Sequence, residues 1–261
     1  MIIENRIKRI LKEGGVAIGT MVAHFRVPSI ALMLKAAGFD FFFIDREHGS
    51  IGVAAMADLI VAARGAGIAP IVRVPALEPQ LLAHPLDLGA AGILCPQTET
   101  KEEVELIVRS TKYYPLGERG MSLRNIHTDF ERGKGDEVTK KLNEETLIVL
   151  QVETAKGIDN LERLVEVEGV DAAFVGPNDL SQTLGIPGQI HHPEVVKRIE
   201  RLIEVCQKAG VAPGLHTYDV DSAKEWLKKG IKLLGFTGDA PLIVDTGAKA
   251  TSELREFLKS L

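Results

Sequence analysis

The sequence predicts a (β/α)8 barrel, and three observations carry that reading. Apolar runs of about five residues alternate with longer helical stretches, eight times within 261 residues, the rhythm of parallel strands joined by helical crossovers. Runs such as Phe41-Phe42-Phe43-Ile44 are continuously apolar, as strands covered on both faces are. The main alternative is a doubly wound sheet. Its first strand–turn should carry GxGxxG, and Gly19-Thr20-Met21 does not continue that way.

In chain order, residues 1–15 read as an amphipathic helix with Ile3, Ile7, Ile10 and Leu11 on one face. Its charges, Glu4 to Glu13, set it apart from a secretory leader. Strands are expected at 16–21, 39–44, 69–74, 91–95, 146–152, 171–175, 211–215 and 232–236. Helices are expected at 29–37 (behind Pro28), 53–64, 77–88, 101–111, 136–143, 158–167, 193–209 and 220–229, with a final one at 241–258. His84-Pro85 is expected to interrupt the helix at 77–88. The segment 113–135, rich in Gly and Arg, is long for a barrel connection and reads as a functional lid or a dimer contact. No Pro/Ser-rich linker or shift in composition divides the chain, so residues 1–261 read as one domain.

Composition narrows the function. Hydrophobic residues are 45% and charged residues 26%, a globular balance that needs no disulfide or structural metal. Net charge is −5 with Lys and Arg scattered, so a basic footprint for nucleic acid is missing. No apolar run approaches the roughly 20 residues of a membrane helix. Cys95 and Cys206 lie in apolar segments and form no disulfide framework, which suits a reducing cytoplasm.

Barrel chemistry sits at the C-terminal ends of the strands. Those positions hold Asp45-Arg46-Glu47-His48, Arg73, Gln151-Val152-Glu153, Gly176-Pro177-Asn178-Asp179 and His216. Asp45, Glu47 and His48 follow a fully apolar strand, which is unusual for a mere solvated turn. Arg73 reads as a site residue or as a snorkelling strand-end arginine. Glu153 and Asp179 follow consecutive strands, and two neighbouring carboxylates without a fixed cation repel; a divalent metal explains both. Against this, Asp179 could cap a helix before Leu180, and Glu153 could pair with Lys156 at i, i+3. His216 reads equally as a loop residue, and for His24, His84 and His127 the sequence offers no argument. An oxygen-rich set favours Mg²⁺, Mn²⁺ or Co²⁺ over zinc.

These residues fall within a longer series: Gly38-Phe39-Asp40 leading to Asp45-Arg46-Glu47-His48, Val72-Arg73-Val74-Pro75, Leu86-Asp87-Leu88-Gly89-Ala90 and Tyr114-Pro115-Leu116-Gly117-Glu118-Arg119-Gly120. It continues with Gln151-Val152-Glu153-Thr154, Glu168-Gly169-Val170-Asp171, Val175-Gly176-Pro177-Asn178-Asp179-Leu180-Ser181 and His192-Pro193-Glu194-Val195. In that order they resemble the HpcH/HpaI aldolases, the metal-dependent class II pyruvate aldolases of aromatic and sugar acid catabolism.

The resemblance implies reversible cleavage of a 4-hydroxy-2-oxo acid to pyruvate and an aldehyde, through a metal-stabilised pyruvate enolate. It implies Glu153 and Asp179 as metal ligands, with pyruvate and waters completing the shell. By the same resemblance His48 is the base, Asp87 orients or tunes it, and Arg73 reaches the bound oxo acid. Gln151 lies on the substrate side, and the backbone of Gly176, Pro177, Asn178 and Asp179 meets the pyruvate carboxylate at a helix N-terminus. Asp45 and Glu47 are supporting residues. The family assembles as hexamers with exchanged C-terminal helices. Arg46 stands where a glycine is expected and puts a large cation beside the base. The ends of strands seven and eight, His216-Thr217-Tyr218 and Thr237-Gly238-Asp239, are more polar than the family's. Three rivals stay open: a Schiff-base aldolase using Lys156, a lyase acting on a CoA thioester, and a barrel that binds oxo acids without turnover.

Overall fold

A computed structural model describes residues 2–261. Among them eight parallel strands close into a barrel in chain order: β1 (Ala17–Val22), β2 (Phe41–Asp45), β3 (Ala69–Arg73), β4 (Gly92–Cys95), β5 (Leu147–Gln151), β6 (Ala172–Val175), β7 (Ala212–Thr217) and β8 (Leu233–Gly238). Pairing of β1 with β8 closes the ring and rules out the doubly wound sheet. The outer layer holds α2 (Ile30–Ala36), α3 (Val53–Ala66), α4 (Pro79–Asp87), α5 (Lys101–Thr111), α6 (Gly135–Glu145), α7 (Ala155–Asp159), α8 (Leu161–Val165), α10 (Pro193–Ala209) and α11 (Val220–Lys229). A short α9 (Pro177–Thr183) follows β6, α1 (Arg6–Lys12) lies beneath the barrel, and α12 (Asp239–Leu258) ends the chain.

Side chains alternate between the two faces of each strand. Those facing out, such as Phe42, Ile44 and Val72, pack against α2 and α3; Ile93, Ile148, Leu150 and Ala173 belong to the layer shared with α5, α8 and α10. Those facing in form a separate cluster of Phe41, Phe43, Ile71, Leu94, Val149 and Phe174, with Ile7 of α1 below. Phe41 meets Phe43 edge-on at 5.0 Å, and Phe43 meets Phe174 at 5.3 Å; each such pair adds about 0.5–1.5 kcal/mol beyond burial. Gly19 makes room for them: a Cβ there would come within 2.4 Å of the Phe41 ring.

That alternation also loads the mouth. Two residues beyond Phe43 is Asp45, beyond Ile71 is Arg73, and beyond Val149 is Gln151. Asp45 and Arg73 are register partners on neighbouring strands. An inner file that is apolar below becomes polar at its last position.

Several elements differ from expectation. The N-terminal helix begins only at Arg6, because Asn5 Oδ1 accepts the N–H groups of Ile7 and Lys8 and caps it there; Met1 lies outside the described residues. β2 runs to Asp45 and starts late, since Phe39 N–H still bonds back to Leu34 O at the end of α2. The helix expected at 158–167 is two short helices that meet at Asn160. The helix expected after β6 starts at Pro177, so Gly176 and not Asp179 is its cap, and Asp179 lies in its first turn. β7 and β8 each run two residues past their expected ends, so His216 and Thr237 are strand residues. α4 passes through His84-Pro85 without a break; Pro85 sits in its last turn, where few ladder bonds remain to lose.

The segment 112–134 follows α5, which carries the chain back to the N-terminal end of the barrel. It lies on that floor, with one 3₁₀ turn at Ile126–Thr128. Lys112 Nζ donates to Asn143 O and Thr146 O at 2.7 and 2.8 Å, and Arg119 pairs with Asp87. It is therefore no lid over this chain's own mouth.

Candidate active site

Asp45 is the hub of the mouth. Its Oδ1 accepts from Arg73 Nε at 2.9 Å and its Oδ2 from Arg73 Nη2 at 2.7 Å, a bidentate pair. The same Oδ1 accepts the N–H groups of Glu47 and His48, which folds the chain just past β2 into a tight turn. Burial opposes ionisation of Asp45, but the Arg73 hydrogen bonds and charge, with those two N–H groups, outweigh it and hold the carboxyl below its usual range. Arg73 is buried beside it and also lies 3.3 Å from Glu47 Oε2. Its guanidinium is thus fixed in the mouth and does not snorkel.

His48 is aimed outward by that turn. Its side chain is 63% exposed and its Nε2 stands 3.8 Å from Glu47 Oε2. Glu47 is pushed above its ordinary value by burial, against the pull of Arg73, with repulsion from Asp45 and Asp179 added. Arg46, beside it, donates from Nε to Ile51 O at 3.4 Å, so its guanidinium base is turned into the β2–α3 loop.

Glu153 lies across the mouth, two residues past β5, and is 2% exposed. Gln97 N–H donates to its Oε1 at 3.1 Å, and Gln151 Nε2 donates to its Oε2. Burial pushes Glu153 up to about 7, resisted by the Gln151 and Gln97 hydrogen bonds and reinforced by Asp179 and Glu47. The backbone opposite is bare: a Cβ on Gly176 would come within 2.4 Å of Glu153 Oε2. Gly176 precedes α9, with Pro177 at its first position and Asp179 in its first turn. Asn178 Nδ2 donates to the Tyr218 hydroxyl at 2.6 Å.

This donor set fits a hard divalent cation. The Asp179 charge raises both Glu47 and Glu153, Glu47 raises Glu153 further, and Gln151 Oε1 is buried with no partner. Among the described residues no group of three or more His, Cys, Asp or Glu is close enough to hold an ion alone. An ion at Glu153 and Asp179 would complete its shell with substrate and water oxygens, as Mg²⁺ commonly does.

The strand-end positions thus come together, with one exception. Asp87 closes α4, which leads away from the mouth, and its carboxylate pairs with Arg119 on the floor while its carbonyl faces His127 Nδ1 at 3.1 Å. Within one chain it does not reach His48, so the expected orienting role fails there. Lys156 pairs with Glu99 at 2.8 Å on the surface and not with Glu153, and it is no Schiff-base lysine within the barrel. Gln97 was not foreseen; its place directly after β4 was the available signal, but its left-handed φ of 51° is what aims its N–H. His216 faces into the barrel, against Gly235 and edge-on to Tyr218 at 5.1 Å. Burial and the nearby Arg73 push it down to about 4, so it is neutral. Asp239, first in α12, stood out in the sequence only as part of a polar strand end; its Oδ2 accepts the N–H groups of Ala23, His24 and Phe25 at 2.8–3.1 Å and fixes the β1–α2 loop at the mouth.

Comparison with known proteins agrees with this fold. The family model described as HpcH/HpaI aldolase/citrate lyase matches residues 23–243. A hydroxypyruvate/pyruvate aldolase of Roseobacter denitrificans is 32% identical over 97% of this chain and 98% of its own. A 5-keto-4-deoxy-D-glucarate aldolase of Escherichia coli K12 is 34% identical over 98% and 97%. The crystal structure of an HpcH/HpaI aldolase from Desulfitobacterium hafniense superposes with a TM-score of 0.91 at 32% identity, covering 95% of this chain and 96% of that one.

Proposed function

Because the chain belongs to the HpcH/HpaI aldolase/citrate lyase family and is a carbon–carbon lyase, we propose that it is a divalent-metal-dependent pyruvate aldolase. It cleaves a 4-hydroxy-2-oxo acid reversibly to pyruvate and an aldehyde. The observation that carries this reading is the buried Glu153 carboxylate, raised by burial and by its acidic neighbours and bare on its Gly176 side.

In this reading Glu153 and Asp179 hold Mg²⁺, Mn²⁺ or Co²⁺. Bound there, the ion supplies Lewis-acid polarisation of the substrate's 2-oxo group. Arg73, locked by Asp45, places positive charge where oxygen becomes anionic. The first turn of α9 takes the substrate carboxylate through the N–H groups of Asn178 and Asp179, with Pro177, which has no N–H, fixing the turn beside them. Gln151 and Gln97 keep Glu153 oriented. His48, at the open side, removes the C4 hydroxyl proton on cleavage, directly or through one water, and returns it on addition.

Two further parts belong to the proposal. The outer face of α12 exposes Ile243, Val244, Leu254, Phe257 and Leu258, a stripe suited to cover by another copy in a homo-oligomer, a hexamer by family resemblance. Cys95 and Cys206 are buried and free, as in a reducing, cytoplasmic setting. No helix among the described residues is long and apolar enough to cross a membrane.

NMR of pyruvate in D₂O tests the reading. Metal-loaded protein should exchange the methyl protons, chelated protein should not, and His48→Ala should lose cleavage roughly 10²–10⁴-fold while still binding pyruvate. Full turnover after exhaustive chelation would overturn the metal assignment, and undiminished cleavage in His48→Ala would remove His48 from the reaction.

A further inference from the structure

The inward file of β7 runs through Ala212 and Gly214 to His216, whose register partner on β8 is Gly235. A Cβ on Gly214 would come within 2.5 Å of Phe174 Cδ2, and one on Gly235 within 2.7 Å of His216 Nδ1 and 3.1 Å of Phe174 Cζ. The two glycines therefore leave room for two rings, Phe174 in the apolar inner cluster and the imidazole beside it at the mouth. The charge of Arg73, on the opposite strand of the ring, reaches that imidazole. Tyr218, two residues on, stands edge-on to His216 at 5.1 Å and feels the charges of Asp179, Arg73 and Glu153. Both rings thus border the space on which those groups converge.

Neither ring is used up by the protein. His216 is half-buried, and of its two nitrogens only Nδ1 is closed off, packed on Gly235 without a partner. No hydrogen bond among the described residues engages Nε2, the nitrogen on the open side of the ring. A buried N–H without an acceptor is rarer than a bare acceptor, so the ring proton sits on Nε2. Burial and the charge of Arg73 keep the ring neutral. The exposed Tyr218 hydroxyl accepts from Asn178 Nδ2 at 2.6 Å. Among the described residues nothing accepts its own hydrogen, which stays free to donate.

We propose that His216 Nε2–H and the Tyr218 hydroxyl seat the second substrate and select a neutral aldehyde whose carbon chain carries a hydroxyl. This rests on the pyruvate-aldolase reading and says which aldehyde that site takes. Two neutral donors side by side fit a neutral acceptor oxygen. An alkyl chain would strip water from both and return nothing. A carboxylate would bring further negative charge towards Asp179 and Glu153 on a wall without a cation: the ends of β7 and β8, His216 to Asp219 and Thr237 to Asp239, hold no lysine or arginine, and Arg73 is already held by Asp45.

The probes are glyceraldehyde and 2-methylbutanal, both racemic, each added to metal-loaded protein with pyruvate. The second has the same branched shape with methyl groups in place of both hydroxyls. The unaltered protein should prefer glyceraldehyde in kcat/KM. His216→Leu should lower the ratio of the two kcat/KM values roughly tenfold or more, through glyceraldehyde alone. Tyr218→Phe, at an exposed position that folding tolerates, should lower it several-fold, and His216→Gln, which keeps a neutral N–H donor, should restore part of what leucine loses. A ratio unchanged in both His216→Leu and Tyr218→Phe, an equal loss on both aldehydes, or a preference of the unaltered protein for 2-methylbutanal would each overturn the proposal. Exchange of pyruvate methyl protons in D₂O without any aldehyde separates the two readings. Its absence overturns the pyruvate reading and this one with it, whereas exchange with an unchanged ratio overturns this one alone.

Discussion

The two ends of the barrel solve the same problem in opposite ways. Each holds a buried arginine on an aspartate, Arg73 on Asp45 at the mouth and Arg119 on Asp87 at the floor. On the floor the arginines are answered: Arg64 takes Asp129, Arg119 takes Asp87, and His127 stays neutral, which leaves Lys112, held on two carbonyls, as the exception. At the mouth the charges are not answered, because Glu47 and Glu153 are both raised, in part by the charge of Asp179 in the same space. A balanced cluster serves the fold. An unbalanced one is stored destabilisation that a bound cation would relieve, as at working sites generally.

The comparison can be broken most decisively at Glu153. Glu153→Gln should cost activity by at least on the order of 10²-fold, more than loss of a group that merely supports a ligand. The same variant, without metal, should melt no lower than the unaltered protein, because a buried repulsive charge is gone. Calorimetry of the chelated proteins checks this; a lower melting temperature would mean that Glu153 is structural. On the floor the sign reverses. Asp87→Ala leaves Arg119 buried and unpaired and should cost about 2–4 kcal/mol in urea denaturation, scaled down because Asp87 itself is part-exposed.

pH should separate the two ends as well. In metal-free protein Glu153 rises from 4.5 to about 7 on folding, so the folded state binds the extra proton between those values. Its contribution to stability is present below 4.5 and is lost as pH rises towards 7. Lys112 on the floor falls from 10.5 to about 7, through burial, then the charge of Lys8 and Arg119, against Asp171. There the unfolded state binds the extra proton, so stability rises with pH from about 7 to 10.5. Denaturation across pH should show the first slope vanish in Glu153→Gln and the second in Lys112→Met. The smallest effect concerns the tie beneath the barrel. Asn5 caps α1 and donates to Ala91 O and Glu145 O, and Asn5→Ala should cost about 1–2 kcal/mol with kcat/KM unchanged.

What was legible in the sequence follows from the period of a strand. Once the barrel is inferred, strand ends point to Asp45, Arg73, Gln151 and Glu153, because a period of two carries the inward file straight to the mouth. Glu47, His48 and Asp179 lie within a turn of those ends. Beyond one turn the inference decays. Asp87 lies close in sequence to Arg73, but the nine residues of α4 carry the chain about 13 Å back towards the floor. Gln97 depends on a left-handed backbone that no side chain announces, and Asp239 on the approach of a loop more than two hundred residues earlier in the chain.

Asp239 has a practical corollary for anyone cutting or extending this chain. Its carboxylate pins three successive amides of the β1–α2 loop from the first residue of a 20-residue helix. A truncation after Gly238 would keep every strand yet release a wall of the mouth. A fusion partner at Leu261, by contrast, would begin about 30 Å along the helix from that anchor, far enough to leave the loop untouched.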